Sequence, residues 1–181
     1  MTNFFVSLIE GIFRGDNYIK ERMERQLPPG EEQAVLGGRL LLRRHHNGGA
    51  MLGVGKKQGR LVTALSLLIT GIATLIFILS LSVYGSNLLR VGLSLLLGGA
   101  FSNTYDRLKQ QYVMDYFSFN IKWKPLRRLV FNVSDFCILL GALLSALGMR
   151  HQGWKLRQIA KQRKKRHKAS TAILQDFMRM R

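Results

Sequence analysis

Two short polar motifs of the same form stand out in otherwise apolar surroundings. Residues 103–106 read NTYD and residues 132–135 read NVSD, so each motif places an asparagine three residues before an aspartate. Side chains three residues apart share one face of a helix. Each motif lies at the end of a charge-poor run, and an ionisable group at membrane depth costs about 2.5–3.5 kcal/mol by insertion scales. Such groups are functional candidates by default.

A third carboxylate, Asp115, lies in the segment VMDY, whose apolar and aromatic residues would dehydrate it. Two carboxylates that face each other in a poorly solvated site share one proton. One then acts as a general base on water while the protonated partner hydrogen-bonds the substrate carbonyl, which is aspartic-protease chemistry. Alternatively, Asp106, Asp115 and Asp135 only pair with Arg107 or cap helix ends. From the residues alone, both interpretations stand.

The composition indicates what kind of chain must position these groups. Its 181 residues carry 28 Lys+Arg against 10 Asp+Glu, a formal net charge of +18, and 47% of them are hydrophobic. This length fits one domain, and the single cysteine, Cys137, excludes a disulfide framework and a cysteine-cluster zinc site. Long apolar runs alternate with densely basic stretches. We therefore predict a small, basic, polytopic membrane protein.

Three apolar runs are candidates for membrane spans. Residues 61–85 contain no charge, and about 20 apolar residues cross a hydrocarbon core of about 30 Å. The second run covers 87–105, and the third covers 129–149 with Asp135 as its only ionisable group. Glycines in these runs, at 71, 92, 98 and 99, are expected to allow close helix approach. We predict an all-α polytopic fold with three transmembrane helices.

The flanking segments predict smaller elements. Residues 1–15 carry an apolar stripe but would reach only about 22 Å as a helix, which indicates a short amphipathic helix or a partial span. The block 16–60 is rich in glycine and proline, which favours turns and short strands near 34–36 and 39–43. Residues 108–128 show an alternating pattern that includes several aromatic side chains, and they are expected to lie along the membrane interface.

The C-terminal tail, residues 150–181, holds 11 Lys+Arg and one Asp. Anionic cytoplasmic lipid attracts such a segment with about 1 kcal/mol per basic residue near the surface. The alternative is a solvated helix that only fixes topology, and a charge run by itself does not support nucleic-acid binding. The positive-inside rule places the tail in the cytoplasm, although the outer blocks are also basic.

The stretch from Gly98 to Gly141 resembles bacterial lipoprotein signal peptidase, the signal peptidase II family. That family's pattern runs roughly GGAxGNxxDRxxxGxVVDF, then a variable loop, then FNxAD. Upstream, NGGAMLG at 47–53 matches the family's NxGAAFG, and Asp16 and Lys20 in DNYIK match its D-x-x-x-K. Order and approximate spacing agree from Asp16 to Gly141.

The resemblance implies an intramembrane aspartyl endopeptidase that removes signal peptides from diacylglyceryl-modified prolipoproteins, cutting before the lipidated cysteine. It implies no metal and no cofactor. The matching catalytic pair, hereafter the dyad, is Asp115 and Asp135. Supporting polar or substrate-binding positions are Asn47, Asn103, Asp106, Arg107, Asn132, Asp16 and Lys20. Asn103 and Asn132 would orient the dyad, and Arg107 would pair with Asp106.

The family also implies a location and a division of the chain. We expect a monomer in the bacterial cytoplasmic membrane, with the dyad near the outer face, the C-terminus in the cytoplasm, and contacts with prolipoproteins and membrane lipids. The expected parts are a peptidase domain over 1–149 and a basic cytoplasmic tail over 150–181. Within the domain, the expected elements are a short helix over 1–15, an extracytoplasmic β-cradle in 16–60, and spans over 61–85, 87–105 and 129–149.

Some positions depart from the family's pattern. Ser102 replaces a glycine and Ser134 replaces an alanine, and each hydroxyl would lie beside a catalytic or supporting group, where it could shift a pKa. Leu52 replaces a phenylalanine, and the first helix is cut to residues 1–15. The short helix and the basic tail leave open an alternative, a non-catalytic lipopeptide-binding or immunity-type homologue.

Overall fold

The computed structural model describes residues 2–49, 58–82 and 86–179. Helices and strands follow one another in the order α1 Thr2–Gln26, β1 Glu32–Val35, β2 Leu40–Asn47, α2 Gly59–Ser82, α3 Asn87–Gln110, β3 Val113–Phe119, α4 Lys124–Arg127 and α5 Val133–Arg179. The expectation of a mostly helical chain with a small β-sheet is confirmed.

Two helices in the described part of the chain are long and apolar enough to cross a membrane. They are Gly59–Leu81 in α2 and Val133–Lys164 in α5. Large apolar side chains on both helices face outward, among them Ile69, Leu75 and Leu139. An exposed apolar surface of this extent is costly in water, whereas a bilayer accommodates it. The remaining predicted span, 87–105, corresponds to α3, which packs against α1, α2 and α5.

The prediction of a short first helix over 1–15 is wrong. Helix α1 continues to Gln26 and has 25 residues, or about 37 Å at the usual rise per residue. Asp16 and Lys20, one turn apart, form an ion pair 2.8 Å long, and both lie on the buried face that also holds Phe5. In the sequence, Asp16 and Lys20 follow the end of the apolar stripe. In the structure, they continue the buried face of the same helix.

Two other helix boundaries also differ from prediction. Helix α3 runs past 105 to Gln110, and Gln111 ends it in the left-handed region with φ 66°. Helix α5 begins at Val133 instead of 129 and continues without interruption through the tail to Arg179. No proline occurs after Pro125, and the tail is rich in lysine, arginine and glutamine, which favour helix. The predicted boundary at 149/150 is thus not a break in the backbone.

The three strands form an antiparallel sheet in the order β1-β2-β3. The β1–β2 turn uses Leu36, Gly37 and Gly38, all with positive φ, which glycine adopts without steric cost. The predicted strands near 34–36 and 39–43 are confirmed with small shifts. Strand β3 lies where an interfacial segment was expected.

Strand β3 positions the two polar segments because both of its edges are occupied. On one edge it pairs with β2, with His45 opposite Asp115. On the other edge, Phe131 N–H donates to Phe117 O at 2.8 Å, and Tyr116 N–H donates to Phe131 O at 2.9 Å. The residues just before α5 are therefore held alongside the strand that carries Asp115.

Glycines set the distance between α3 and its neighbours. A Cβ on Gly99 would lie 2.5 Å from the Ser134 carbonyl oxygen, and one on Gly98 would lie 2.7 Å from Ile12 Cβ. Gly92 likewise packs on Ser145 of α5. The expectation of close approach is confirmed at these three positions and wrong for Gly71, where a Cβ would meet no atom within 4 Å.

Gly99→Ala should lower the melting temperature in detergent micelles, because the added methyl must push the start of α5 away from α3. Gly71→Ala is the matched control, since its methyl would enter open space, and it should melt within about 2 °C of the unchanged protein. Equal losses in both variants would show that close packing at Gly99 is not the cause.

Candidate active site

Asp115 lies in the middle of β3, only 2% exposed, with an amide donor on each carboxylate oxygen. Asn132 Nδ2 donates to Oδ1 at 2.7 Å, and Asn47 Nδ2 donates to Oδ2 at 3.0 Å. These donors come from the two segments that flank β3, because Asn47 ends β2 and Asn132 follows the segment that pairs with the other edge. The sheet therefore delivers both amides to one carboxylate.

Asp135 lies in the first turn of α5 and exchanges hydrogen bonds with Asn132. The Asn132 N–H donates to Asp135 Oδ2 at 3.1 Å, and the Asp135 N–H donates to Asn132 Oδ1 at 2.9 Å. This reciprocal pattern satisfies two backbone donors at the start of the helix, as a capping box does. Asn103 Nδ2 donates to the other oxygen, Oδ1, at 3.0 Å. Asn132 thus bridges Asp115 and Asp135.

The environment of Asp115 favours its protonated form. Burial raises its pKa to about 7, the negative charge of Asp135 adds to that rise, and hydrogen bonds from Asn47 and Asn132 oppose it. Near neutral pH, this carboxyl can therefore hold or release a proton.

Behind these carboxylates lies a buried ion cluster centred on Lys20. Its Nζ contacts Asp16 Oδ2 at 2.8 Å and Asp106 Oδ2 at 2.9 Å. It also donates to Ser102 Oγ and to Asn103 Oδ1, each at 2.9 Å. The bond to Asn103 engages the amide oxygen, which leaves the amide nitrogen to face Asp135. A supporting residue on α1 thereby orients a side chain that contacts the candidate site.

The predicted pairing of Arg107 with Asp106 is wrong. The Arg107 guanidinium donates to two backbone carbonyls, those of Asn103 and Gly49, each at 3.0 Å. Asp106 pairs with Lys20 instead. Adjacent residues on a helix point in different directions, so Asp106 faces α1 while Arg107 faces the segment after β2.

The two serines that depart from the family's pattern do not donate to the dyad. Ser102 Oγ donates to Asp16 Oδ2 at 2.7 Å, and Ser134 Oγ donates to the same oxygen at 2.6 Å. Sequence reasoning missed a third hydroxyl, that of Tyr116, which donates to Asp16 Oδ1 at 2.9 Å. Its sequence signals are its place after Asp115, since successive residues of a strand face opposite sides, and its residue type, since the family's pattern has phenylalanine at this position.

The adjacent histidines at 45 and 46 lie on β2. His46 Nε2 lies 3.0 Å from Glu24 Oε2, and its ring stacks on Tyr112 with centroids 4.0 Å apart. Within the described ranges, no group of three or more His, Cys, Asp or Glu side chains is placed to hold a metal ion.

Solved structures share this fold. A bacterial membrane enzyme determined by the in meso method at 2.3 Å resolution superposes with a TM-score of 0.71, covering 83% of this chain and 90% of its own at 20% identity. A second structure, a bacterial membrane enzyme determined by the same method at 1.9 Å resolution, gives a TM-score of 0.66 at 22% identity, covering 81% of this chain and 92% of its own. The chain therefore shares the fold of these two solved structures.

The sequence comparisons identify the family to which the chain belongs. The family model described as signal peptidase (SPase) II matches residues 8–150, and the chain belongs to that family. The lipoprotein signal peptidase of Moorella thermoacetica is 31% identical over 134 residues, covering 71% of this chain and 81% of the relative. That of Clostridium tetani is 28% identical over 136 residues, covering 75% and 85%. The resemblance stated from the motifs is confirmed.

Lys20→Met should destabilise the protein strongly, because it leaves Asp16 and Asp106 buried without their cation. Breaking a buried pair in this way costs about 3–5 kcal/mol. The measurement is thermal unfolding in micelles, followed by tryptophan fluorescence. Lys109→Met is the control, because Lys109 is exposed and its ammonium lies over the Tyr105 ring at 5.6 Å. Comparable losses in the two variants would contradict a central role for the buried cluster.

Proposed function

We propose that this chain is an aspartyl endopeptidase that removes signal peptides from diacylglyceryl-modified prolipoproteins, cutting before the lipidated cysteine. The observation that carries the proposal is a pair of carboxylates, buried Asp115 and half-buried Asp135, that one residue bridges: Asn132 donates to Asp115 through its side-chain Nδ2 and to Asp135 through its backbone N–H. Membership of a peptidase family and relatives named lipoprotein signal peptidase support the substrate class.

The two carboxylates would divide the proton chemistry between them. Asp115 holds the shared proton near neutral pH, as its raised pKa favours, and Asp135 takes a proton from the attacking water. Asp115 donates its proton to the carbonyl oxygen as the tetrahedral intermediate forms. Collapse of that intermediate breaks the peptide bond. The leaving amine receives the proton held by Asp135, and one hydroxyl of the intermediate returns its proton to Asp115 as the new carboxylic acid forms.

We place this chemistry in a membrane crossed by α2, α3 and α5. Helix α3 is 24 residues long and packs between the two apolar helices, which supports its assignment as a further span. The sheet and the dyad would lie near the outer face of the bacterial cytoplasmic membrane, with residues 150–181 on the cytoplasmic side. The substrate would approach laterally, and burial of its diacylglyceryl chains contributes about 0.8 kcal/mol per CH₂ group.

The tail would act at the opposite face from the dyad. Residues 150–181 carry 11 Lys+Arg and would contact anionic headgroups where α5 leaves the bilayer. The non-catalytic alternative loses one of its motives, because α1 is 25 residues long rather than shortened.

Asp115→Asn and Asp135→Asn should each lower cleavage by at least about 10²–10⁴-fold, the usual contribution of acid–base groups, while the protein still inserts into membranes. The measurement is a gel-shift assay on a diacylglyceryl-modified prolipoprotein. Asp176→Asn, in the tail, is the control and should cleave like the unchanged protein. Full cleavage by either dyad variant would remove that aspartate from the mechanism.

Cleavage should decline as pH rises through about 7, because Asp115 then loses the proton that the dyad must keep. Well above that pH, kcat/KM should fall roughly tenfold per pH unit. Initial rates between about pH 5 and 9 at constant ionic strength provide the measurement. A rate that still rises at the alkaline end would mean that no proton held at Asp115 is needed.

A further inference from the structure

Three buried hydroxyl groups converge on one carboxylate, that of Asp16, which is only 1% exposed. Ser102, Ser134 and Tyr116 each donate to it, over 2.6–2.9 Å. Together with Lys20, these groups give Oδ2 three donors and Oδ1 one. A carboxylate with this many donors is held ionised and in one orientation.

Each of these hydroxyls belongs to the chain neighbour of a site residue. Ser102 precedes Asn103, Ser134 precedes Asp135, and Tyr116 follows Asp115. The three neighbours lie on three different elements, α3, α5 and β3, whereas Asp16 lies on α1. One carboxylate therefore joins the backbone segments that present the dyad and its amide donor.

We propose that Asp16 is a positioning residue for the dyad, and that it acts through the Tyr116 hydroxyl, which fixes the start of α5 relative to β3. This inference rests on the proposed function. It assigns Asp16 no contact with substrate and no proton transfer.

Tyr116 is suited to this role because its hydroxyl makes two bonds. It donates to Asp16 Oδ1 at 2.9 Å and accepts from the Val133 N–H, the first residue of α5, at 3.0 Å. Its side chain lies on the opposite face of the strand from Asp115, so the bond does not occupy the site. Burial and the charge of Asp16 raise the pKa of Tyr116, so the hydroxyl keeps its proton and remains a donor.

Loss of this hydroxyl would leave the Val133 N–H and one oxygen of the buried Asp16 without those partners. The start of α5 could then shift against β3, which would change the separation of Asp115 and Asp135. Misplacement by about 1 Å can reduce a rate by about 100-fold. The effect should appear in the chemical step rather than in substrate binding.

The experiment compares Tyr116→Phe with two control variants in steady-state cleavage of a diacylglyceryl-modified prolipoprotein. Ser118→Ala removes a buried hydroxyl from the same strand that has no hydrogen-bond partner within the described residues. Tyr18→Phe removes an exposed hydroxyl from α1, the helix of Asp16. We expect Tyr116→Phe to lower kcat about 10- to 100-fold at nearly unchanged KM, and both controls to keep the wild-type kcat. An unchanged kcat in Tyr116→Phe would overturn the proposal.

A double-mutant cycle separates positioning from a general loss of stability. If Tyr116 acts through Asp16, adding Tyr116→Phe to Asp16→Asn should lower kcat little further, whereas independent effects would multiply. Multiplying losses would overturn the proposal. If Asp16→Asn does not fold, the kcat-against-KM comparison for Tyr116→Phe, measured on monodisperse protein well below its melting temperature, decides instead.

A parallel Asp115→Asn sample distinguishes this inference from the proposed function. Cleavage by Asp115→Asn would overturn the proposed mechanism whatever Tyr116→Phe does. An inactive Asp115→Asn beside a fully active Tyr116→Phe would overturn only the positioning role of Asp16.

Discussion

A lysine ammonium almost completely removed from solvent constrains the whole arrangement. Lys20 on α1 is 3% exposed and has Asp16 and Asp106 as its counter-charges, one from its own helix and one from α3. Taking an ion out of water costs several kcal/mol, and only close, well-oriented partners offset that cost. Separating α1 from α3 would therefore part Lys20 from Asp106 and leave buried charges without a partner, at a large cost in electrostatic free energy. Helix α3 in turn packs closely on α5 at its glycines. The ion cluster therefore fixes the relative positions of the helices that carry the NTYD and NVSD motifs.

The orientation of the site follows from the oxygens of three asparagines rather than from their nitrogens. Asn103 Oδ1 accepts from Lys20, Asn132 Oδ1 accepts from the Asp135 N–H, and Asn47 Oδ1 accepts from the Gly49 N–H. Because each oxygen is engaged, each amide nitrogen must turn toward a carboxylate. Aspartate side chains there would repel the dyad, whereas an amide supplies a donor without adding charge. The three asparagines, held by these bonds to their oxygens, therefore surround the two dyad carboxylates with uncharged hydrogen-bond donors.

Periodicity and composition predicted the elements that local sequence determines. The uncharged run beginning at 61 became α2, and the glycine-rich block gave the hairpin of β1 and β2. The NVSD motif also indicated that Asn132 and Asp135 would be neighbours. Contacts between distant segments left no such signal: Asp16 and Tyr116 are 100 positions apart, and no local pattern announces their bond. The same limit explains the error at Arg107, whose preferred carboxylate was already engaged by a lysine from another helix.

Phe117 and Phe131 are joined by a pair of backbone hydrogen bonds, here called the clamp, which determines where the chain can accept insertions. Their mutual backbone hydrogen bonds, at 2.8 and 3.0 Å, fix both ends of the segment 118–130, in which a loop over 120–123 connects the end of β3 to α4. Trp123 and Ile121 on this loop are exposed. Doubling the length of a closed flexible loop costs only about 0.6 kcal/mol, so insertions here are tolerated as long as the clamp survives. The sequence and length of this loop can therefore change in evolution or by engineering without altering the distance between Asp115 and Asp135.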